Sequence, residues 1–379
     1  MRMKRTASNV TWISVVGARP QFVKLSPFCR AVEARNSACA TARIHHQIIH
    51  TGQHYDRDVA DVFFDQMNIP EPHFNLGTGS GSHGIQLARM LARMEPILRA
   101  QQPEWVIVYG DTNSTLAGAL LAARLNLRLA HVEAGCRSGD IRQPEEQNRL
   151  VADQLSQLLL PASETAVANL HREGIAVPND PLRRRITNVG DLQLDALLQH
   201  TELVEQNAAS NLESLGLEDK KYYLLTLHRA ENTDSVDRMN QIFRAVNLLD
   251  LPVVFPVHPR TKQVLARNSI SLNGNLKLLP PQGYLQMLTL EKYALRILTD
   301  SGGIQKEAFY LNVPCVTLRD HTEWVETVDL GANHVVGADF DAIQAAVLEE
   351  NQPSWKEVQP YGDGNAARRI VAELADFSV

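Results

Sequence analysis

Short apolar runs that stop at small or charged residues, each followed by a stretch with helical spacing, recur along the whole chain. "WISVVG" reads as a buried strand ending at Gly17, and Pro20 suits the first turn of a helix through "QFVKLSPFCRAVEAR". "HHQIIHTGQH" repeats strand then loop. "EWVIVYGDTNSTLAGALLAARLN" does so with Gly110 and Asp111 at the strand end, and "LRLAHVEAG" is a further short strand with charge at its carboxyl edge. In the second half "YYLLTLHRAENTD", "PVVFPVHPRT", "LRILTDSGGIQKEAFYLN" and "PCVTLRDHTEW" restart the pattern. Strands alternating with helices imply parallel sheets covered on both faces, so the fold class is α/β. Two Rossmann-like doubly wound domains with an interdomain cleft follow as the expected architecture. The proline-, asparagine- and arginine-bearing segment Pro178–Arg185 is the candidate linker, which sets expected domains at 1–183 and 184–360, with a terminal helix over 361–379.

Length and composition narrow the class. The 379 residues suit two domains, and 44% apolar with 21% charged residues is ordinary for a globular protein. A net charge of −6 argues against a nucleic-acid or membrane-surface binder, which needs a cationic field. The basic N-terminus before Val10–Val16 resembles a signal peptide only superficially, because that apolar run is short and leads into Gly-Ala-Arg-Pro. Cys29, Cys39, Cys136 and Cys315 lack the close pairing of zinc or redox motifs, so the expectation is reduced thiols in a cytoplasmic protein.

Ligands of open parallel sheets bind beyond the strands' carboxyl ends, and the charged clusters fall there. Arg19 and Lys24 in "GARPQFVK" flank a helix start and suggest a phosphate, although a solvated helix explains them equally well. In "TDSGGIQKEA", Ser301, Gly302 and Gly303 could let backbone amides approach a diphosphate, and Glu307 could accept from ribose hydroxyls. A tight turn with a capping serine is the plainer alternative. His228, beside Arg229 and Glu231, suits a phosphate contact or proton donation to a leaving group. Tyr284 could stack on a uracil, with core packing at least as plausible. His50 and His54 straddle Gly52 in a corner and His45 and His46 would point to opposite strand faces, so no metal is expected. No GxSxG elbow occurs. Asp111, Glu133 and Glu145 would crowd negative charge if brought together, which raises at least one carboxyl pKa as acid/base work requires. Arg137, Arg142 and Arg149 would balance them.

Taken in order, "GARPQFVK", "HTGQHYD", "GDTNSTLAGALLA", "AHVEAGCRS", "PEEQNR", "LHRAENTD", "HPRT", "TDSGGIQKEA" and "PCVTLR" resemble the non-hydrolysing UDP-N-acetylglucosamine 2-epimerase family from Val15 to Gly337. The resemblance implies a glycosyltransferase-B-like fold, an isomerase without cofactor or metal, a UDP-sugar substrate and a homodimer. It assigns Asp111, Glu133 and Glu145 as catalytic carboxylates, with His228 assisting the chemistry. Arg19 and Lys24 then face the diphosphate and sugar, Ser301, Gly302, Gly303 and Glu307 bind diphosphate and ribose, and Arg319 is a further site residue. "GARPQ" where commoner members carry GTRPE, Trp324 and Val325 where they carry arginine and proline, the short loop before "PEE" and the segment after His54 depart from the commoner pattern. These departures resemble the subgroup acting on UDP-2,3-diacetamido-2,3-dideoxyglucuronic acid, whose C6 carboxylate Arg142 could meet. A glycosyltransferase of the same fold and a non-catalytic nucleotide-sugar binder are the competing readings.

Overall fold

The computed structural model describes all residues except 1–8, 40–42, 54–63, 65–66, 179, 181, 258, 269, 271, 350–354, 356 and 378–379. His54 with the segment after it and His258 of "HPRT" therefore lie outside the described residues. The chain divides into two compact units, Met1–Gln199 with Pro360–Val379, and His200–Gln359.

Unit 1 is built on a seven-stranded, all-parallel sheet in the order β3-β2-β1-β4-β5-β6-β7. The strands are β1 (Val10–Val16), β2 (Ile44–His50), β3 (Phe74–Asn75), β4 (Trp105–Tyr109), β5 (Leu129–Val132), β6 (Leu158–Leu160) and β7 (Arg185–Ile186). Parallel neighbours need crossovers, and these are α1 (Arg19–Ala38), α2 (His83–Gln101), α3 (Asn113–Arg124), α4 (Pro144–Leu155) and α5 (Glu164–Arg172). With helices on the sheet, β4 and β5 are buried at every position, which is why β4 reads as an unbroken apolar run and β5 departs from one only at His131. Gly118 lets α3 lie close to the sheet, since a Cβ there would come within 2.7 Å of Val108 Cγ1. The strand order reverses between β1 and β4, so the loops after these two strands diverge and leave room for a ligand.

Unit 2 carries a six-stranded parallel sheet ordered β10-β9-β8-β11-β12-β13. Its strands are β8 (Tyr223–Thr226), β9 (Val253–Pro256), β10 (Leu276–Leu279), β11 (Arg296–Thr299), β12 (Cys315–Thr317) and β13 (Asn333–Val335). The helices are α7 (Ala230–Thr233), α8 (Val236–Val246), α9 (Pro259–Arg267), α10 (Tyr284–Tyr293), α11 (Gly302–Tyr310), α12 (Val325–Asp329) and α13 (Phe340–Leu348), while α6 (Leu192–Ser214) carries the chain from one unit into the other. On α8, Met239, Ile242, Phe243 and Val246 repeat at helical spacing and pack with Leu225, Phe255, Leu298 and Val316 of the sheet. The reversal here lies between β8 and β11, the strands that precede His228 and Ser301.

The end of the chain returns to unit 1. In α14 (Ala366–Asp376) the carbonyl of Leu374 accepts from Trp105 Nε1 at 3.0 Å, and the Phe377 ring meets Trp105 edge-on at 5.1 Å. Asp195 accepts the free N–H groups of Ala366 and Ala367 at 3.1 and 2.8 Å, which caps the helix start. The segment expected as a linker, Pro178–Arg185, differs in place. Its last residue opens β7, whose Arg185 and Ile186 pair with Leu158 and Leu159, and the passage between the units falls later, within α6. Turn-forming and basic residues mark an edge-strand corner as readily as a linker, and only strand pairing distinguishes the two.

Candidate active site

At the strand-order reversal of unit 1 the turn after β1 is built around Gly17. A Cβ at this position would fall 2.0 Å from Thr51 Oγ1 and 2.3 Å from Ser114 Oγ, two hydroxyls that hydrogen-bond each other at 2.8 Å. Gln21 Oε1 accepts from the N–H groups of Gly17 and Ala18 at 2.8 and 3.2 Å, while its Nε2 donates to the Tyr109 carbonyl and to Thr115 Oγ1 at 2.8 and 3.1 Å. A carboxylate in this place could accept but not donate, so the amide ties the β1 and β4 loops together in a way that the glutamate of "GTRPE" could not. Arg19 is half-buried at the first turn of α1.

Lys24 and Glu133 form a buried ion pair. Glu133 follows β5 directly and holds a left-handed backbone, φ +68°, a region that costs a non-glycine residue about 1–3 kcal/mol. Gly110 passes beneath this pair at φ +60°, and a Cβ there would lie 3.0 Å from Glu133 Oε2 and 3.6 Å from Lys24 Nζ. Asp111, the next residue, receives Arg149 Nη1 at 2.6 Å, and its own carbonyl accepts from Asn148 at 2.8 Å. The structure thus brings Asp111 and Glu133 to one strand edge, each met by a cation.

Helix α4 delivers the remaining groups. Glu145 stands half-buried on its first turn, one turn before Arg149. Its neighbour Glu146, not singled out by the sequence, is buried and accepts from Ser138 N–H and Ser138 Oγ at 3.0 and 3.1 Å and from Arg149 Nη2 at 2.9 Å. Arg142 lies apart, with its side chain 87% exposed and its Nε and Nη2 on Asp140 at 2.8 and 2.9 Å.

Beneath these residues His131 and Asp153, both fully buried, are joined Nδ1 to Oδ1 at 2.6 Å. Arg137 reaches the other Asp153 oxygen at 2.7 Å. Burial pushes the Asp153 carboxyl up, but His131 and Arg137 outweigh it and hold the group below its ordinary value.

Unit 2 presents a second constellation at its own reversal. His228 follows β8 with its side chain 53% exposed, and its Nδ1 meets Asp300 Oδ1 at 2.9 Å. Asp300 is fully buried at the end of β11 and accepts from the N–H groups of His228 and Arg229 at 3.1 and 3.0 Å and from Asn232 Nδ2 at 3.2 Å. Burial raises the Asp300 carboxyl, but His228 and these donors bring it below the ordinary value. Ser301 then caps α11. Gly302 opens that helix, where a Cβ would come within 2.7 Å of Glu323 Oε1, and Glu323 Oε2 accepts from the buried Arg319 at 3.0 Å. Glu307 is buried one turn into the helix, and Lys306 lies 4.0 Å over the Trp324 ring. Burial and then the Glu307 charge push the Glu291 carboxyl well up. Tyr284 is buried with its ring edge-on to His200 at 5.9 Å.

The sequence does not mark Asp300, His131, Glu146 or Asp153 as site residues. Asp300 precedes the glycine turn of "TDSGG", and an acid in that place is a signal that finds it. His131, Glu146 and Asp153 carry no local signal, because their partners come from other elements. Among the described residues no group of three or more His, Cys, Asp or Glu could hold a metal ion, and no helix is long and apolar enough to cross a membrane.

A family model described as UDP-N-acetylglucosamine 2-epimerase matches residues 37–375. A Methanococcus maripaludis protein named UDP-N-acetylglucosamine 2-epimerase homolog is 46% identical over 369 residues, covering 96% of this chain and 99% of its own. A Pseudomonas aeruginosa UDP-2,3-diacetamido-2,3-dideoxy-D-glucuronate 2-epimerase is 42% identical over 368 residues, with the same coverage of both chains. Among solved structures, the UDP-GlcNAc 2-epimerase of Methanocaldococcus jannaschii in complex with UDP-GlcNAc and UDP superposes with a TM-score of 0.87 at 42% identity, covering 96% of this chain and 99% of that one.

Proposed function

The chain belongs to the UDP-N-acetylglucosamine 2-epimerase family, and from that premise we propose that it inverts C2 of a UDP-linked 2-acetamido sugar by eliminating and re-adding UDP. The proton at C2 is not next to a carbonyl, so its direct removal faces a large barrier. Breaking the C1–O bond first, with the electron pair leaving on UDP, makes C1 electron-poor and C2–H acidic. A carboxylate takes that proton as the C1=C2 bond of a 2-acetamidoglucal forms. Delivery of a proton to the opposite face of C2 and return of the UDP oxygen to C1 complete the inversion. One side chain cannot serve both faces, so two acids are required.

The buried Glu133, on one strand edge with Asp111, is the observation that carries this reading. We assign proton transfer to Glu133, with Lys24 supplying its counter-charge and Asp111 and Glu145 assisting. In unit 2, Ser301, Gly302 and Gly303 stand at a helix start, whose positive dipole end suits a diphosphate, and Glu307 suits ribose hydroxyls. His228 and Arg19 are assigned to charge on the departing phosphate, with Arg319 and Tyr284 as further contacts of the nucleotide. The named relatives act on different sugars, and the departures at Gln21 and Trp324 favour the 2,3-diacetamido-glucuronate over UDP-N-acetylglucosamine. Arg142 would have to exchange Asp140 for the sugar's C6 carboxylate. None of the four cysteines is in a disulfide, in keeping with a cytoplasmic setting, and a homodimer is the assembly proposed.

In deuterated buffer the purified protein should place deuterium at C2 of its sugar nucleotide and return both C2 epimers, read by NMR with the two candidate sugars in parallel. A glycosyltransferase or a sensor would leave C2 untouched, and that outcome would overturn the assignment.

A further inference from the structure

Resting on the epimerase reading, we propose that Arg137, Asp153 and His131 are positioning residues, a buried chain that fixes the Gly110 carbonyl and with it the strand edge carrying Asp111 and Glu133. His131 Nε2 lies 2.7 Å from the Gly110 carbonyl oxygen, and its Nδ1 lies 2.6 Å from Asp153 Oδ1. Both neighbours are acceptors, because a carbonyl has no proton to give and the Asp153 carboxyl, met by Arg137 on its other oxygen, is held below its ordinary value. Each ring nitrogen therefore faces an acceptor, and both are spent on these two bonds. The ring has nothing left to exchange with a sugar, and its role is mechanical.

The anchoring is two-sided. The Gly110 N–H donates to the Val132 carbonyl at 3.0 Å and its C=O takes the His131 bond, so both polar groups of this glycine are tied to β5. That peptide leads directly to Asp111, and its Cα has the Glu133 carboxylate so close that a methyl group would touch it. A displacement of a few tenths of an ångström at Gly110 thus moves both acids relative to each other. Asp153 repeats the hold beyond Glu133, where its Oδ2 accepts the Gly135 N–H at 3.1 Å and Arg137 Nη2 at 2.7 Å. Arg137 is in turn steadied by Glu173 at 2.6 Å. An unfavourable backbone such as that of Glu133 persists only where its surroundings over-determine it, and this chain supplies the determination from both flanks.

Two substitutions separate the roles of the ring nitrogens. A glutamine amide at position 131 can reach the place of Nε2 and keep the bond to Gly110, whereas an asparagine amide reaches only the place of Nδ1. His131→Asn should lower kcat on the order of 100-fold, the cost of a catalytic group misplaced by about an ångström. KM should stay within about threefold, since no substrate contact is lost. His131→Gln should recover most of the rate. Unchanged kcat in His131→Asn, a loss confined to KM, or a glutamine variant no better than the asparagine one would each overturn the proposal. Histidine-labelled 15N spectra of the unsubstituted full chain give a readout that needs neither a substrate nor a variant that folds. Two protonated ring nitrogens at His131 are expected, and a single protonated nitrogen would refute the arrangement even if the sugar assignment stands. A failed epimerase reading would instead appear as no deuterium at C2 with the unsubstituted protein, and leave the spectrum as expected.

Discussion

At the scale of single residues, the two units rest on the same device, a histidine at a strand end held by a buried aspartate. In unit 1 the pair is wholly internal, while in unit 2 Asp300 orients a half-exposed His228 that is free to meet a ligand. Asp300→Asn leaves the side-chain shape but removes the charge that four neighbouring donors address, so kcat should fall on the order of 100-fold through misorientation of His228. The pH dependence carries a definite sign. Because the folded-state pKa of Asp300 is depressed, its stabilisation is present above the ordinary carboxylate value of 3.8 and is lost as pH falls through the folded value. Denaturant titrations should therefore find the asparagine variant less stable at neutral pH and the gap closing below pH 3.8. A gap independent of pH would contradict the assigned pairing.

At the scale of elements, function gathers where a strand turns into a helix. The β1-to-α1 turn admits only glycine, since Thr51 and Ser114 occupy the place of any side chain. Gly17→Ala forces this hydroxyl pair apart and should cost about 1–3 kcal/mol, visible as a lowered melting temperature. If the variant melts with the parent, the turn is looser than the geometry states. Helix α4 illustrates economy of spacing, with Glu146, Arg149 and Asp153 recurring every three or four residues along its buried face. Glu145 and Glu146 are adjacent in sequence, yet Glu146 is spent on the Ser138 loop and Arg149 while Glu145 stays half-buried. No local rule separates the two acids, because the loop that chooses between them comes from before the helix.

At the scale of the whole molecule, unit 1 is closed by residues far apart in sequence, with Asp195 capping α14. Burial raises the Asp195 carboxyl to about 6, against the hydrogen bonds from Ala367 and Ala366, and the charges of Asp191 and Asp363 add to the rise. A raised carboxyl pKa means that the folded state binds the extra proton between 3.8 and about 6, so this residue adds stability as pH falls through that window. Asp195→Asn should abolish that gain, so the parent's advantage over the variant should grow between pH 7 and pH 5. Equal slopes for the two proteins in urea titrations would contradict the shift.

The sequence by itself determined the α/β class, the two parallel sheets, the places where strands end in charge, and the order of motifs that leads to the family. These properties are local, since apolar runs, helix spacing and glycine turns are decided by residues within a few positions of each other. It marked Asp111, Glu133, Ser301 and Gly302 for the same reason. Only the tertiary structure decided that Lys24 meets Glu133, that Arg149 meets Asp111, and that His131 and Asp153 underpin both acids. It also moved the passage between the units from the proline-rich corner into α6. Each of those outcomes joins elements distant along the chain, and such meetings are set by strand order and helix packing, which no short stretch of sequence encodes.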